Sequence, residues 1–329
     1  MKKILAIGTG GTIASLETAD GLSPQLLGEE LIKHIPEIGN MCEVECIQVI
    51  NMDSTNIRPG HWLKISEAIQ EKYNEYDGFI ITHGTDTMAY TAAGISYLIQ
   101  NSVKPIAITG AQIPLMEQGS DARRNLIDAF TYVCDSESHG ISIIFNGSVI
   151  IGTRARKNFS KSFAAFGSIN YPEVAHIQGG RIVRFINDKP KEETKFYDFI
   201  NPNVGILKLV PGMRNDVMKY FIDHYDGLVV ESFGVGGLPE YSDFYEQIKR
   251  AVKNGKLIVM TTQVPNEGSD LSIYRVGNIL KKQFNVLEAH DMTSEAAFAK
   301  VMWILGQTSD FEKAEELFYT NIANDILFK

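Results

Sequence analysis

Two short glycine–threonine turns hold the residues of this chain best suited to chemistry. The first runs Ile4-Leu5-Ala6-Ile7-Gly8-Thr9-Gly10-Gly11-Thr12-Ile13-Ala14-Ser15, an apolar run that opens into small residues and a threonine. The second runs Phe79-Ile80-Ile81-Thr82-His83-Gly84-Thr85-Asp86-Thr87 and follows the same plan. In an open α/β sheet, ligands sit outside the carboxyl ends of the strands. Two such turns side by side place two threonine hydroxyls, one carboxylate and several backbone N–H groups in one crevice. That set suits acyl transfer from an amide to a hydroxyl nucleophile.

Taken alone, the first turn has other readings. Gly8-x-Gly10 begins like a dinucleotide fingerprint, but the third glycine position holds Ile13, and no ribose-binding acid ends the next strand. No Gly-Lys-Ser/Thr closes a phosphate loop. The bland reading is a tight strand-to-helix turn. Its company argues for more. Two glycines before Thr12 remove side-chain bulk and let its hydroxyl face a crevice. From Thr12 to Pro24 the chain lacks periodicity, and Asp20-Gly21 signals a turn, so a mobile loop that closes as a lid is expected there. A third turn, Asn51-Met52-Asp53-Ser54-Thr55-Asn56, is rich in groups that hold an ammonium or a carboxylate; a helix-capping role explains it about equally well. The basic run Arg154-Ala155-Arg156-Lys157 reads by itself as a solvated face, and in a crevice as the source of a lysine for proton transfer.

The elements that must position these turns are legible as alternating runs. Candidate strands are Lys3–Gly8, Val44–Ile50, Gly78–Thr82, Pro105–Thr109 and Ile141–Phe145. Helical patterns fill Pro59–Tyr73, Thr87–Leu98 and Asp121–Val133. Strands alternating with helices of this length form βαβ units, and nearly continuous apolar strands are those of a parallel sheet covered on both faces. Pro59 suits a first helical turn, and Asp86 falls near the cap of the helix after it. The polar stretch 187–195 breaks the pattern. It divides the chain into an N-terminal α/β domain (1–186), a linker (187–203) and a smaller C-terminal α/β domain (204–329). In the latter, strands Val204–Val210, Leu228–Ser232 and Leu257–Thr261 alternate with helices at Asp216–His224, Phe244–Lys253 and Glu295–Leu305, which reads as a second doubly wound unit.

Composition narrows the function classes. The 329 residues carry a net charge of −9, the opposite of a nucleic-acid footprint. Cys42, Cys46 and Cys134 are too few, and odd in number, for a disulfide framework, and no second Cys or His pair completes a zinc site with them. No metal or cofactor is expected. The apolar run Ile4–Ile7 is too short for a signal peptide, and no stretch approaches a bilayer span, so a cytoplasmic protein without membrane partners is expected.

Taken together, the turns resemble the bacterial-type L-asparaginases, and more closely their type I, cytoplasmic branch. The resemblance covers essentially the whole chain. Its two long signatures are Thr9 to Ser15 and His83 to Ala92; Met52-Asp53-Ser54-Thr55, Thr109-Gly110-Ala111-Gln112-Ile113-Pro114 and Ser232-Phe233-Gly234-Val235-Gly236-Gly237 add to them. The resemblance implies a large flavodoxin-like N-terminal domain and a smaller C-terminal α/β domain. It implies Thr12 as nucleophile, Thr85 as second catalytic threonine, Asp86 as its acidic partner and Lys157 as the lysine of a proton relay. It further implies that Asp53, Ser54 and Thr55, with Asp86, hold the α-groups of the substrate, that Gly84 also binds substrate, and that the backbone of Ala111 meets the side-chain amide. The substrate so implied is L-asparagine, with weaker action on L-glutamine. A homodimer or homotetramer is implied, with the site near a subunit interface. His83 lies in a signature but belongs to no triad, since no Gly-x-Ser-x-Gly elbow accompanies it; a capping or packing role is expected.

Two departures stand out. Where the family often has a loop tyrosine after the nucleophile, this chain has Leu22, which cannot transfer a proton. The arginine that marks an allosteric asparagine site in some type I members is replaced by Glu231, so that effector site is expected to be absent. The competing readings are a non-catalytic amino-acid sensor on the same scaffold, a subunit of a tRNA-dependent amidotransferase and a nucleotide-dependent oxidoreductase. A sensor would have lost one of Thr12, Thr85, Asp86 and Lys157. An amidotransferase subunit would carry an N-terminal extension and a basic footprint. An oxidoreductase would carry the third glycine.

Overall fold

A computed structural model describes residues 1–18, 21–24, 28–190, 192–239, 243–273 and 275–328. The chain divides into two compact units, Met1–Asp198 and Phe199–Lys329. In the first, five parallel strands form: β1 (Lys3–Gly10), β2 (Glu43–Met52), β3 (Gly78–Thr82), β4 (Pro105–Thr109) and β5 (Gly140–Phe145). They pair in the order β2-β1-β3-β4-β5. This is the flavodoxin-like order, and the strand sequence reverses between β1 and β3. Strands β3 and β4 are buried along their whole length, which is why their sequences do not alternate.

Three helices follow the predicted patterns within a residue or so: α1 (Pro59–Lys72), α2 (Met88–Leu98) and α3 (Ala122–Cys134). Pro59 opens α1 as expected, and the His61 ring closes the turn by accepting a hydrogen bond from the Arg58 N–H at 2.9 Å. Leu126, Ala129, Phe130 and Val133 of α3 pack in one cluster with Ile4, Ile80, Ala107 and Ile144 of the sheet. The strand residues of opposite parity, Leu5, Ile7, Phe79 and Ile81, are equally buried, so both faces are covered. Helices α1 and α2 abut where Gly94 leaves room for the Trp62 indole.

Beyond β5 the sheet changes character. Strands β6 (Ser148–Ile151), β7 (Ala175–Gln178) and β8 (Arg181–Arg184) add an antiparallel extension to the parallel core, which the alternating pattern does not predict. The segment expected as a lid loop also departs from expectation. After a turn of 3-10 helix (Thr12–Ala14), Ser15–Thr18 pairs with Gly21–Pro24 as an antiparallel hairpin in which the Leu22 backbone opposes Glu17. Asp20 lies outside the described residues. At the far end of the unit, Lys195–Phe196 pairs with Ile99–Gln100, and the Thr194 hydroxyl donates to the Asn101 carbonyl at 3.1 Å. These bonds tie the end of the charged 187–195 stretch to the first unit.

The second unit is a four-stranded parallel sheet of β9 (Val204–Lys208), β10 (Gly227–Ser232), β11 (Leu257–Thr262) and β12 (Val286–Glu288), paired in chain order. It is not doubly wound. Right-handed crossovers between strands laid down in sequence place every connecting helix on the same face. Accordingly α4 (Asn215–His224), α5 (Phe244–Lys253) and α6 (Arg275–Gln283) share one core with Leu207, Leu228, Val230, Ile258 and Met260. The other face is covered by α7 (Ser294–Gln307), whose Val301 and Leu305 press on Gly227; α8 (Phe311–Tyr319) follows. Among the described residues, no helix is long and apolar enough to cross a membrane.

Candidate active site

Strand register sets the site. Gly8 of β1 lies opposite Thr82 of β3, which lies opposite Thr109 of β4. The residues that follow, Thr12, Thr85 and Ala111, therefore leave the sheet at one level, at the switch point. The β1–β2 pairing is irregular just there: Gly8 opposes Gln48, but Gly10 opposes Met52. Such irregularities re-aim a strand end, and they gather beside functional sites.

Close backbone approach then joins the turns. Gly11 has φ +81°, and a Cβ there would stand 2.3 Å from the Gly84 nitrogen. A Cβ on Gly84 would stand 2.6 Å from Ser54 Oγ and 3.2 Å from Gly11 Cα. Only glycine permits these contacts. The first, second and third turns thus meet at Gly11, Gly84 and Ser54, with Thr12 and Thr85 as the next residues along two of them. The Thr109–Ile113 segment after β4 joins through the His83 N–H, which donates to the Thr109 carbonyl at 2.8 Å.

Lys157 reaches the same place from the strand Ala155–Lys157, which pairs with Phe166–Ser168. Its ammonium donates to Thr85 Oγ1 at 2.8 Å and to Asp86 Oδ1 at 2.6 Å. Thr85 is buried, Asp86 is exposed and Thr12 is half-buried. The Asp86 carboxylate thus stays open to a ligand. It does not cap α2. The N-cap is Thr87, and the Thr87 hydroxyl donates to the Ser54 carbonyl at 2.7 Å instead of to its own helix. Asp53 and Thr55 are exposed and bonded to each other, Thr55 Oγ1 donating to Asp53 Oδ1 at 2.6 Å. Ser54 is buried beside Gly84, and Ala111 is fully buried.

The basic run before Lys157 is not a solvated face. Arg154 is fully buried, with its guanidinium over the Tyr171 ring at 5.5 Å. Sequence reasoning also passed over Gln112, Asp121 and Asn125. Thr85 Oγ1 donates to Gln112 Oε1 at 3.1 Å, and the Gln112 amide donates in turn to the carbonyls of Ser160 and Ser162. Asp121 Oδ1 accepts from the N–H groups of Gln112 and Ile113, and Asn125 Nδ2 bridges Asp121 to the Gly110 carbonyl. These bonds hold the Gly110–Ile113 turn in place. The i, i+4 spacing of Asp121 and Asn125 on one helix face was the available signal.

His83 does not cap a helix. Fully buried, it bonds through Nδ1 to the Gly84 carbonyl at 2.6 Å and through Nε2 to Thr91 Oγ1 at 2.9 Å. Burial pushes its pKa down to about 4.

The asparaginase N-terminal family model matches residues 3–190, and the glutaminase/asparaginase C-terminal domain model matches residues 203–318. The chain belongs to the asparaginase family. An L-asparaginase of Thermococcus kodakarensis is 37% identical over 330 residues, covering 98% of this chain and 99% of that protein. The solved structure of the thermostable L-asparaginase from the same organism superposes with a TM-score of 0.92 over 99% of this chain and all of that one. L-asparaginase 1 of Escherichia coli K12 is 31% identical, covering 99% of this chain and 98% of that protein, so the resemblance to the type I branch stands. A glutamyl-tRNA(Gln) amidotransferase component from Pyrococcus furiosus is 34% identical over 98% of this chain and 76% of its own length, a related branch of the family. In this asparaginase-family chain, Glu231 lies buried on β10, its carboxylate accepting from the Ser294 hydroxyl at 2.6 Å.

Proposed function

We propose that the chain is an L-asparaginase that hydrolyses L-asparagine to L-aspartate and ammonia through a threonine-bound β-aspartyl ester, with weaker action on L-glutamine. The observation that carries this is the meeting of the Gly11 and Gly84 turns beside a Lys157–Thr85–Asp86 contact.

In this reading Thr12 Oγ attacks the side-chain amide carbon. The C–N bond breaks, ammonia leaves with the proton it gains, and an ester forms; water then cleaves the ester and returns Thr12. Covalent catalysis divides one difficult step into two easier ones. A threonine hydroxyl needs a base: Lys157, reacting as the neutral amine, takes the Thr12 proton through Thr85, whose Oγ1 it already touches, and the ammonium so formed passes that proton to the departing ammonia. Asp86 anchors Lys157 and offers its exposed carboxylate to the α-ammonium of the substrate. Ser54, with Asp53 and Thr55 beside it, serves the α-groups. The Gly84 and Ala111 backbones flank the amide, and N–H groups near Thr85, at the start of α2, meet the developing oxyanion. Such a donor contributes about 3–4 kcal/mol to the transition state. Leu22 leaves no proton-transferring group at its position, which concentrates activation on Thr85 and Lys157.

The same reading takes the 187–203 segment as the linker, places the protein in the cytoplasm, and makes it a homodimer or homotetramer with each site near a subunit interface. No cofactor or metal enters any step. The test is ammonia release by purified protein from L-asparagine and, in parallel, L-glutamine, with Thr12→Ala as control. Release that depends on Thr12 and is faster with asparagine supports the reading. No release from either amide by a folded protein overturns it in favour of a non-catalytic amino-acid binder.

A further inference from the structure

The ring of His83 is buried beneath the Thr85 turn, and every hydrogen bond around it has one possible direction. A carbonyl oxygen only accepts, so Nδ1, 2.6 Å from the Gly84 oxygen, carries the ring proton. Full burial keeps the ring neutral, so Nε2 carries a lone pair and the Thr91 hydroxyl at 2.9 Å donates to it. Thr91 Oγ1 in turn accepts from the indole N–H of Trp62 at 3.1 Å. The chain of donors runs from Trp62 on α1 through Thr91 on α2 to His83, and ends on the Gly84 carbonyl. Trp62 and Thr91 are both buried, so no water competes along it.

The end point matters because the Gly84 carbonyl and the Thr85 N–H belong to one trans peptide. The two groups point in opposite directions across that plane. Drawing the carbonyl toward the buried ring turns the Thr85 N–H away from the core, to the crevice side of the turn.

We infer that His83 is a positioning residue: as a neutral Nδ1–H donor, aligned by Thr91 and Trp62, it orients the Gly84–Thr85 peptide so that the Thr85 N–H faces the oxyanion. This rests on the amidohydrolase reading above. It assigns the signature histidine a purpose other than packing, capping or proton transfer to substrate, and it makes Trp62 and Thr91, neither of which touches the crevice, part of the site's support.

Two amide substitutions separate this from packing. The side-chain nitrogen of asparagine falls where Nδ1 lies and can donate to Gly84; the end of glutamine falls near Nε2 and cannot. Glutamine, however, fills more of the ring's volume. We expect His83→Asn to keep kcat within about tenfold of the wild type, and His83→Gln to lose a hundredfold or more at similar KM, because an oxyanion donor acts in the transition state. Thr91→Val, which removes the hydroxyl while conserving shape, lowers kcat severalfold at unchanged KM. Equal losses in the two His83 variants, or the reverse order, overturn the inference. So does wild-type kcat in Thr91→Val, which remains decisive if neither His83 variant folds. A readout free of activity is the nitrogen NMR signature of the ring: a neutral Nδ1–H tautomer at pH 7 is expected, and the Nε2–H tautomer or an imidazolium refutes it. A wild type that shows this tautomer but releases no ammonia refutes the enzyme reading, not the hydrogen-bond chain.

Discussion

At the scale of single residues, the site depends on groups that fail together. Thr12→Ala removes the proposed nucleophile, and Thr85→Val removes the hydroxyl that Lys157 touches. Each is expected to lower kcat by about a thousandfold or more without unfolding the chain, because members of one catalytic unit lose function nearly as a set. Steady-state ammonia release beside circular dichroism checks this; wild-type kcat in either variant removes that residue from the mechanism. His83 gives a second prediction, in stability rather than rate. Its pKa is lowered to about 4 by burial, while in the unfolded chain it is near the usual 6.5. Its two ring partners, a carbonyl and a hydroxyl, are uncharged. Between these values the unfolded chain binds a proton that the folded chain does not, so stability falls as pH drops from about 6.5 to 4, by about 3 kcal/mol in all. Urea unfolding of wild type and His83→Asn at pH 7 and pH 4 tests it. The wild type should lose more stability on acidification than the variant; an equal loss shows that the ring is not held neutral. Three of the four residues proposed for chemistry, Thr12, Thr85 and Asp86, stand out because they sit in long signatures; Lys157 ends a short basic run and takes its role from the family resemblance. Gln112, Asp121 and Asn125 do not stand out, because their use is to hold a turn through contacts between distant segments, and no local pattern records which side chain will accept a given N–H.

Elements were legible where burial is uniform and illegible where it is partial. Four of the five parallel strands announce themselves as apolar runs because both of their faces are covered, whereas the edge strand β2 is largely half-buried or exposed and shows only through its Val44–Ile50 stretch. The antiparallel extension is made of strands of four residues, too short and too mixed in burial to leave a period. Its entry was nonetheless written in the sequence: Asn146-Gly147 joins β5 to β6 with both residues at positive φ, 51° and 86°, the two-residue turn that matches strand twist. Helix α8 likewise begins at Asp310, whose carboxylate accepts from the Lys313 N–H, a capping signal passed over in a polar segment. The doubly wound reading of the second unit failed for a different reason, since alternation of elements says nothing about strand order. Helix α7 supplies a prediction at this scale. Its Lys300 pairs with Asp325 at 2.6 Å, both fully buried, and donates to the Thr320 carbonyl at 2.8 Å, fastening the chain beyond α8. Asp325→Asn leaves a buried ammonium without its counter-charge and is expected to cost about 3–5 kcal/mol. Lys300→Met strands the carboxylate and is expected to cost a similar amount. The double variant is expected to fall short of the sum by at least about 1 kcal/mol. Additive losses in a urea double-mutant cycle would show that the pair is not coupled.

For the whole molecule, the question is whether one chain makes a working site. The residues proposed for chemistry all come from the first unit, at the carboxyl ends of its parallel strands and on the strand that brings Lys157. Leu22 has no proton-transferring group, and the Asp86 carboxylate is exposed. In the proposed mechanism a single copy supplies a nucleophile, a relay and an ammonium ligand, but the carboxylate offered to the substrate is exposed, so water competes for its hydrogen bonds. Exclusion of water strengthens such bonds, since the same charges interact several times more strongly away from bulk solvent. We propose that a second copy laid over the site supplies that exclusion, which is the physical content of placing the site near a subunit interface. Specific activity should therefore depend on protein concentration. Dilution through the dissociation constant of the assembly is expected to lower kcat per chain by at least tenfold, in step with the loss of the larger species by light scattering, and reconcentration is expected to restore it. Far-ultraviolet circular dichroism of the dilute protein should be unchanged, separating dissociation from unfolding. Constant activity per chain across the transition from assembly to monomer would mean that the first unit closes its own site, and the hairpin of Ser15–Thr18 with Gly21–Pro24 would then be the element beside Thr12 to which that closure must be traced.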